Sequence, residues 1–416
     1  MKKRAKKPGT SQPNPKEELL PGELPPIGAP RPHEKSGRRG KHPRVIYRVI
    51  VILLICVVAL VIWINRENLQ PQNVVEWVQT QVIGMGVGDG YPAQLNGDTV
   101  APQNFRSVGK NLYLTGDTTI LCMNNTAKAL FSRKHNYADP VMRVKGGRVL
   151  VYGRGSNGYR VENQLKTLVS GETDDKILTG DVTANGRYAL ITEAGGYCGK
   201  LTAYLNNNTV AYRYWFSDYY PTAMALNSDG TKAAVAAVGA KDGAMVSAIY
   251  VLDFNSNAAA KPIATYTDTY VRDIAFDGTS LLAIGDKQTI ALKADGTELG
   301  KYDYNGGDLT AWDLEETSAV LAVSNLHNGT STTLVHLNKQ AKTTASAKLE
   351  GQVNAVSSFG DAMAAVVNGQ VQSFSISSGA ALGKADAGSD ARALAMRSES
   401  EVYILGISEV RMVTLS

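Results

Sequence analysis

The side chains that most readily carry out chemistry are sparse in this sequence and poorly spaced for it. His135, His327 and His336 stand far apart, with no HExxH and no histidine pair at metal-ligand spacing. His336 lies in the strand-like run Leu334 to Leu337 and reads as a structural histidine. Gly153, Gly155 and Gly158 in GRGSNG fit GxGxxG by letter. A strand-like run follows them where a dinucleotide site needs a helix, so they read as a hairpin tip. Asn227, Asp229 and Gly230, and Asp277 with Gly278, look like pieces of calcium loops, but no acidic residue closes an EF-hand after either, and they read as turns. No GxSxG elbow occurs. Cys122 and Cys198 are two thiols in a large domain and define no disulfide framework. These residues name no catalytic group, no metal site and no cofactor.

One segment is unusual. AYRYWFSDYYP packs Tyr212, Tyr214, Trp215, Phe216, Tyr219 and Tyr220 into nine positions of a chain that is 7% aromatic. Exposed together, Tyr212, Tyr214, Trp215, Tyr219 and Tyr220 form a candidate surface for stacking on sugars or anchoring a protein partner. Alternation in a strand puts Tyr212, Tyr214 and Phe216 on one face and Trp215 on the other, which equally suits packing between neighbouring units of a repeat. Packing is the favoured reading. Full burial of Trp215, Tyr219 and Tyr220 would remove the surface.

The elements that must position these residues recur. NLYLTG, RVLVYG, RYALIT, KAAVAAVG, LLAIGD, AVLAVSN, AMAAVVNG and EVYILG read as the second strands of successive units. Their markers Leu112, Val149, Ala189, Val235, Leu282, Val320, Met363 and Val402 step by about 41 residues on average. That period, with strands and almost no helical signal, fits a four-stranded propeller blade. AIYVLDFNSN, TIALKADGTE, TLVHLNKQAK and VQSFSISSGA repeat as third strands with their turns. The expectation is an all-β propeller of seven or eight blades, eight preferred, over residues 91–416. A strand from Tyr91 to Leu95 or from Thr99 to Phe105 should close the last blade, because an open array would leave an exposed edge.

The chain of 416 residues carries a net charge of +5 that is unevenly spread. Residues 1–48 hold 13 Lys or Arg against 4 Glu, a net of +9, and residues 49–416 hold 30 basic against 34 acidic residues. A mildly acidic folded part argues against a nucleic-acid partner. Nine of the fifteen prolines fall between Pro8 and Pro43, so residues 1–44 read as a disordered basic tail. Its basic clusters serve as topology determinants or bind anionic lipid.

Val45 to Ile64 is nearly all apolar, with Arg48 its one charge. As a helix it spans about 30 Å, the thickness of a hydrocarbon core. Tyr47, Arg48 and Trp63 sit where interfacial anchors belong. No small-x-small cleavage site follows, which disfavours a signal peptide. The expected topology is a single-pass anchor with the tail cytoplasmic and the rest extracytoplasmic. In residues 65–90, Asn73 and Glu76 have capping-box spacing, Val74, Val78 and Val82 give a helical stripe, and Gly84, Gly86, Gly88 and Gly90 read as cap and hinge.

This plan, with a basic Pro-rich tail, one membrane helix, Glu76-Trp77, the run GMGVGDGYP and blades over the remainder, resembles membrane-anchored, WD40-like or quinoprotein-like β-propellers of bacterial families of unknown function. Trp312-Asp313 is not the WD-repeat dipeptide, since it opens a unit, and with only Trp215 and Trp312 in the repeats a quinone is not expected. The resemblance implies a fold and carries no activity.

The expected role is a binding or scaffolding module at the cell envelope with a protein or glycan partner. An enzyme acting on cell-surface glycan and a sensor coupled to the tail are the alternatives. A binding role predicts a channel mouth without clustered acidic or histidine residues; an enzyme role predicts two converging carboxylates over a pocket.

Overall fold

The computed structural model describes residues 48–57, 86–256, 258–267, 269–325 and 331–416. The chain divides into two units, residues 1–65 and 66–416. In the first, residues 48–57 are helical and exposed. Among the described residues no helix is long and apolar enough to cross a membrane. Tyr47, Trp63, the tail over 1–44, most of the 45–64 segment, the helix expected after Asn73 and His327 lie outside the described residues.

The second unit holds eight four-stranded antiparallel sheets, each made of consecutive strands except the last. Seven blades occupy residues 105–134, 140–172, 177–216, 220–267, 271–303, 308–350 and 353–386. Blade 8 combines Ala393–Met396, Glu401–Leu405 and Glu409–Thr414 with Ala93–Gln94 from the other end of the domain. The preferred count of eight is therefore correct, and all eight marker residues fall on second strands.

Period-two alternation explains why the second strands are so apolar and small. In Lys232–Lys241 of blade 4, Ala233, Val235 and Ala237 pack into the core shared with blade 3, while Ala234 and Ala236 pack into the core shared with blade 5. Such a strand is buried on both faces and reads as a continuous apolar run. Its hairpin closes through Asp242 and Gly243, both with positive φ, between paired Lys241 and Ala244. Only a primed two-residue turn matches the strand twist there.

Closure uses the earlier of the two expected segments. Ala93 pairs with Val410 and Gln94 with Glu409, and the Leu95 amide donates to Ser408 O at 2.9 Å. The later segment contributes Phe105 to the inner strand of blade 1. Just upstream, the chain docks on blade 1: the Gly88 amide donates to Thr126 Oγ1 at 2.8 Å and Tyr91 Oη to Asn124 O at 2.9 Å. A Cβ on Gly88 would lie 2.4 Å from Lys128 N, so this glycine serves close approach and is not part of a hinge. Residues 86–95 thus clasp blade 1 to blade 8.

Candidate functional site

The first strand of each blade lines a central channel whose mouth encloses about 920 Å³. Apolar strands here carry isolated charges: Arg106 in blade 1, Arg143 and Lys145 in blade 2, Asp181 in blade 3, Asp273 in blade 5 and Asp313 in blade 6. Glu315 and Glu316 follow in the turn after the blade 6 strand.

Ion pairs cross the channel. Arg106 Nη1 meets Asp313 Oδ1 at 2.8 Å, three blades away around the ring, and Lys145 Nζ meets Glu316 Oε1 at 2.9 Å from the opposite blade. The carboxylates also latch neighbouring blades. Asp181 Oδ2 accepts from the Leu226 amide at 2.8 Å, and Asp313 Oδ2 accepts from the Ser358 amide at 2.9 Å. Asn104 Oδ1 and Ser357 Oγ accept from the Met142 and Met396 amides in the same manner, at 2.9 and 3.0 Å. Each latch satisfies an inner-strand amide of the next blade; Ser247 Oγ accepts likewise from the Val271 amide at 3.2 Å, so that among the described residues five of the eight blade junctions carry one. Asp273 Oδ2 accepts from Trp312 Nε1 at 3.1 Å.

The expectation that a binding role leaves the mouth free of clustered acidic residues does not hold. Five carboxylates gather there because the inner strands converge, and three of them are tied to backbone or indole donors.

Residues 92–415 match a family described as "Family of unknown function (DUF5711)". The chain belongs to that family. No curated protein matches the sequence. Among solved structures, the DUF5711 chain is similar to BamB from Moraxella catarrhalis, at 12% identity and a TM-score of 0.49, covering 78% of this chain and 100% of that one. It is also similar to Kuenenia stuttgartiensis hydrazine synthase, at 12% identity and a TM-score of 0.44, covering 66% and 95%.

In this DUF5711 propeller, enclosure in the channel pushes the Glu315 carboxyl up to about 7; Asp313 adds to the shift, Arg106 and Lys145 oppose it, and Glu316 adds a smaller push. Burial raises Asp181, with Lys145, the Leu226 amide and Arg143 opposing. Lys145 is held above its ordinary value, since Asp181 and Glu316 outweigh the burial that pulls it down. A carboxyl raised on folding contributes stability that is full below about pH 4.5 and lost as pH rises through about 7. Glu315→Gln should therefore stabilise the protein above about pH 7 by about 1 kcal/mol, discounted because the side chain meets solvent in the channel, and change little near pH 4.5. Urea melts across that range would show it; a gain that is equal at both ends would overturn the assignment.

The aromatic segment divides between two environments. Tyr212 stacks on Phe254 at 5.1 Å, Tyr214 meets Phe216 at 4.9 Å and donates to Ala260 O, and Tyr219 lies 6.4 Å from Tyr250. These three belong to the packing between blades 3 and 4. Trp215 is 44% exposed and Tyr220 61%, and Tyr197 lies 6.5 Å from the Trp215 ring. Trp215 and Tyr220 are thus exposed, and Tyr197, missed in the sequence because it sits on the preceding strand, lies beside Trp215.

The remaining motifs are structural. GRGSNG is the tip between the strands ending at Gly153 and starting at Gly158. Asp277 Oδ1 accepts from the Thr279 and Ser280 amides, and Asn227 Oδ1 from the Thr231 and Lys232 amides, so both are turns. His336 is buried, with Nδ1 2.5 Å from Thr344 Oγ1, and burial holds it below its ordinary value. Cys122 and Cys198 are unbridged, and burial pushes the Cys122 thiol up to about 12. Among the described residues no group of three or more His, Cys, Asp or Glu is arranged for a metal.

Proposed function

We propose that this DUF5711 protein is a single-pass membrane protein presenting its propeller, residues 91–416, outside the cytoplasm as a binding or scaffolding module. Residues 45–64 form the anchor in membrane lipid, residues 1–44 the cytoplasmic tail and residues 65–90 the link. The hydropathy of 45–64 and the +9 flank support this topology. The observation that carries the binding role is the commitment of Asp181, Asp273 and Asp313 to latches and an ion pair, which makes the channel a rigid polar pit. A protein or glycan partner fits the exposed rings of Trp215, Tyr220 and Tyr197.

Topology is tested by thiol labelling. In a Cys198→Ser background, a membrane-impermeant maleimide should label Ser416→Cys in intact cells and Ser11→Cys only after the membrane is opened; the reverse pattern would sink the proposal. For the ring surface, Trp215→Ala should weaken crosslinking to the native envelope partner about tenfold while the melting temperature stays within a few degrees, as expected of an exposed hot-spot residue. Undiminished crosslinking would rule that surface out. A propeller enzyme is the second reading, favoured by Glu315 titrating near neutrality beside Asp313.

A further inference from the structure

Among the described residues, Arg143 is the channel cation whose side chain has no hydrogen-bond or ion-pair partner. Arg106 and Lys145 each hold a carboxylate across the channel. Arg143 lies on the inner strand of blade 2, half-buried and lining the channel, and its side chain makes no hydrogen bond or ion pair among the described residues. A guanidinium carries five N–H donors in a fixed fork suited to a carboxylate, and those of half-buried Arg143 face the open space of the channel. The carboxylates whose charge it feels are Asp273 and Asp181. Asp273 accepts from Trp312 Nε1 and the Ile274 amide, and Asp181 from the Leu226 amide with Lys145 as its strongest charge partner, which leaves lone pairs on both carboxylates for a further donor.

A plain anion at Arg143 would sit in the field of those two carboxylates. A plain cation would leave the guanidinium unmet. A ligand that carries both signs satisfies both walls at once, and a space of about 920 Å³ admits one of small-molecule or short-peptide size.

We propose that the channel mouth binds a zwitterion of amino-acid or short-peptide type, its carboxylate on Arg143 and its ammonium group toward Asp273 and Asp181. This rests on the reading of the propeller as a binding module, and it is independent of membrane topology.

The test uses the full chain in detergent, with thermal shift and titration calorimetry. The probes are the free amino acids and the dipeptides Ala-Ala and Gly-Gly; acetate, methylammonium and inorganic phosphate are the single-sign controls. At least one zwitterion should raise the melting temperature saturably, with the controls weaker by about tenfold or more. Arg143→Met and Asp273→Asn should each weaken that binding about tenfold. If Arg143→Met fails to fold, Asp273→Asn decides. The proposal is overturned if no zwitterion binds, if acetate or phosphate binds as tightly, or if the folded variants bind as well as the parent. Failure here with correct thiol labelling would remove the ligand and leave the topology standing; the converse would remove only the topology.

Discussion

A chain lacking residues 86–95 should lose the folded propeller at temperatures the full chain withstands, and its remainder should self-associate. The deletion removes the strand that, among the described residues, joins the two ends of the ring, pairing Ala93 with Val410 and Gln94 with Glu409. Leu95 leaves the core that Phe105, Leu112 and Leu114 of blade 1 share with Tyr403, Leu405 and Val410 of blade 8. Tyr91, whose ring lies 5.5 Å from Tyr403, goes with it. Losing one buried leucine costs about 2 to 5 kcal/mol, and the tyrosine contacts and backbone bonds add to that. The sum approaches the whole stability of an ordinary domain, about 5 to 15 kcal/mol. The exposed Glu409–Thr414 edge then offers unpaired amides and carbonyls to a second chain. Melting curves and size-exclusion profiles of the deletion and the parent measure this, and superimposable curves would refute closure by this segment. Leu95→Ala provides a graded version, expected to cost about 2 to 4 kcal/mol without aggregation.

How far the sequence was legible follows from where each signal lives. The second strands were readable because each is buried on both faces, so RVLVYG and KAAVAAVG need no partner to be recognised. Closure was narrowed to two segments and no further, because a two-residue strand such as Ala93–Gln94 has no periodicity of its own. A channel mouth was expected, but its charged residues and their pairing were not legible. Arg106 and Asp313 are 207 positions apart, and RSV or AWDL alone looks like a strand with one solvated side chain. A faint cue existed: MRVK, TGDV, RDIAF and AWDL each place a charge inside an apolar first strand. The aromatic segment was legible by face, Tyr212, Tyr214 and Phe216 packing and Trp215 exposed. It was illegible by neighbour, since Tyr197 joins it only through sheet pairing.

Asp313 does two jobs with two oxygens, and substitution separates them. Asp313→Ala removes the partner of Arg106 and leaves the Ser358 amide of blade 7 without its acceptor. Removing one partner of a buried pair costs about 3 to 5 kcal/mol. Here the Arg106 side chain is 43% exposed and regains water, so about 3 kcal/mol is expected. Asp313→Asn retains an oxygen for the Ser358 amide and loses only the charge, for an expected cost of about 1 kcal/mol. Arg106→Met should fall near that smaller value, since it strands a carboxylate that still holds its latch. The variants also report on Glu315. With Asp313 neutral, the second-largest push on the Glu315 carboxyl disappears and Arg106 is released to face it, so its pKa should fall from about 7 toward the usual carboxylate range. The loss of stability between about pH 4.5 and 7 should then flatten in Asp313→Asn. Urea melts over that range decide between the roles. Equal costs for Ala and Asn would assign the whole effect to charge, whereas a parent-like Asp313→Ala would mean that neither the latch to blade 7 nor the cross-channel pair to blade 1 contributes to stability.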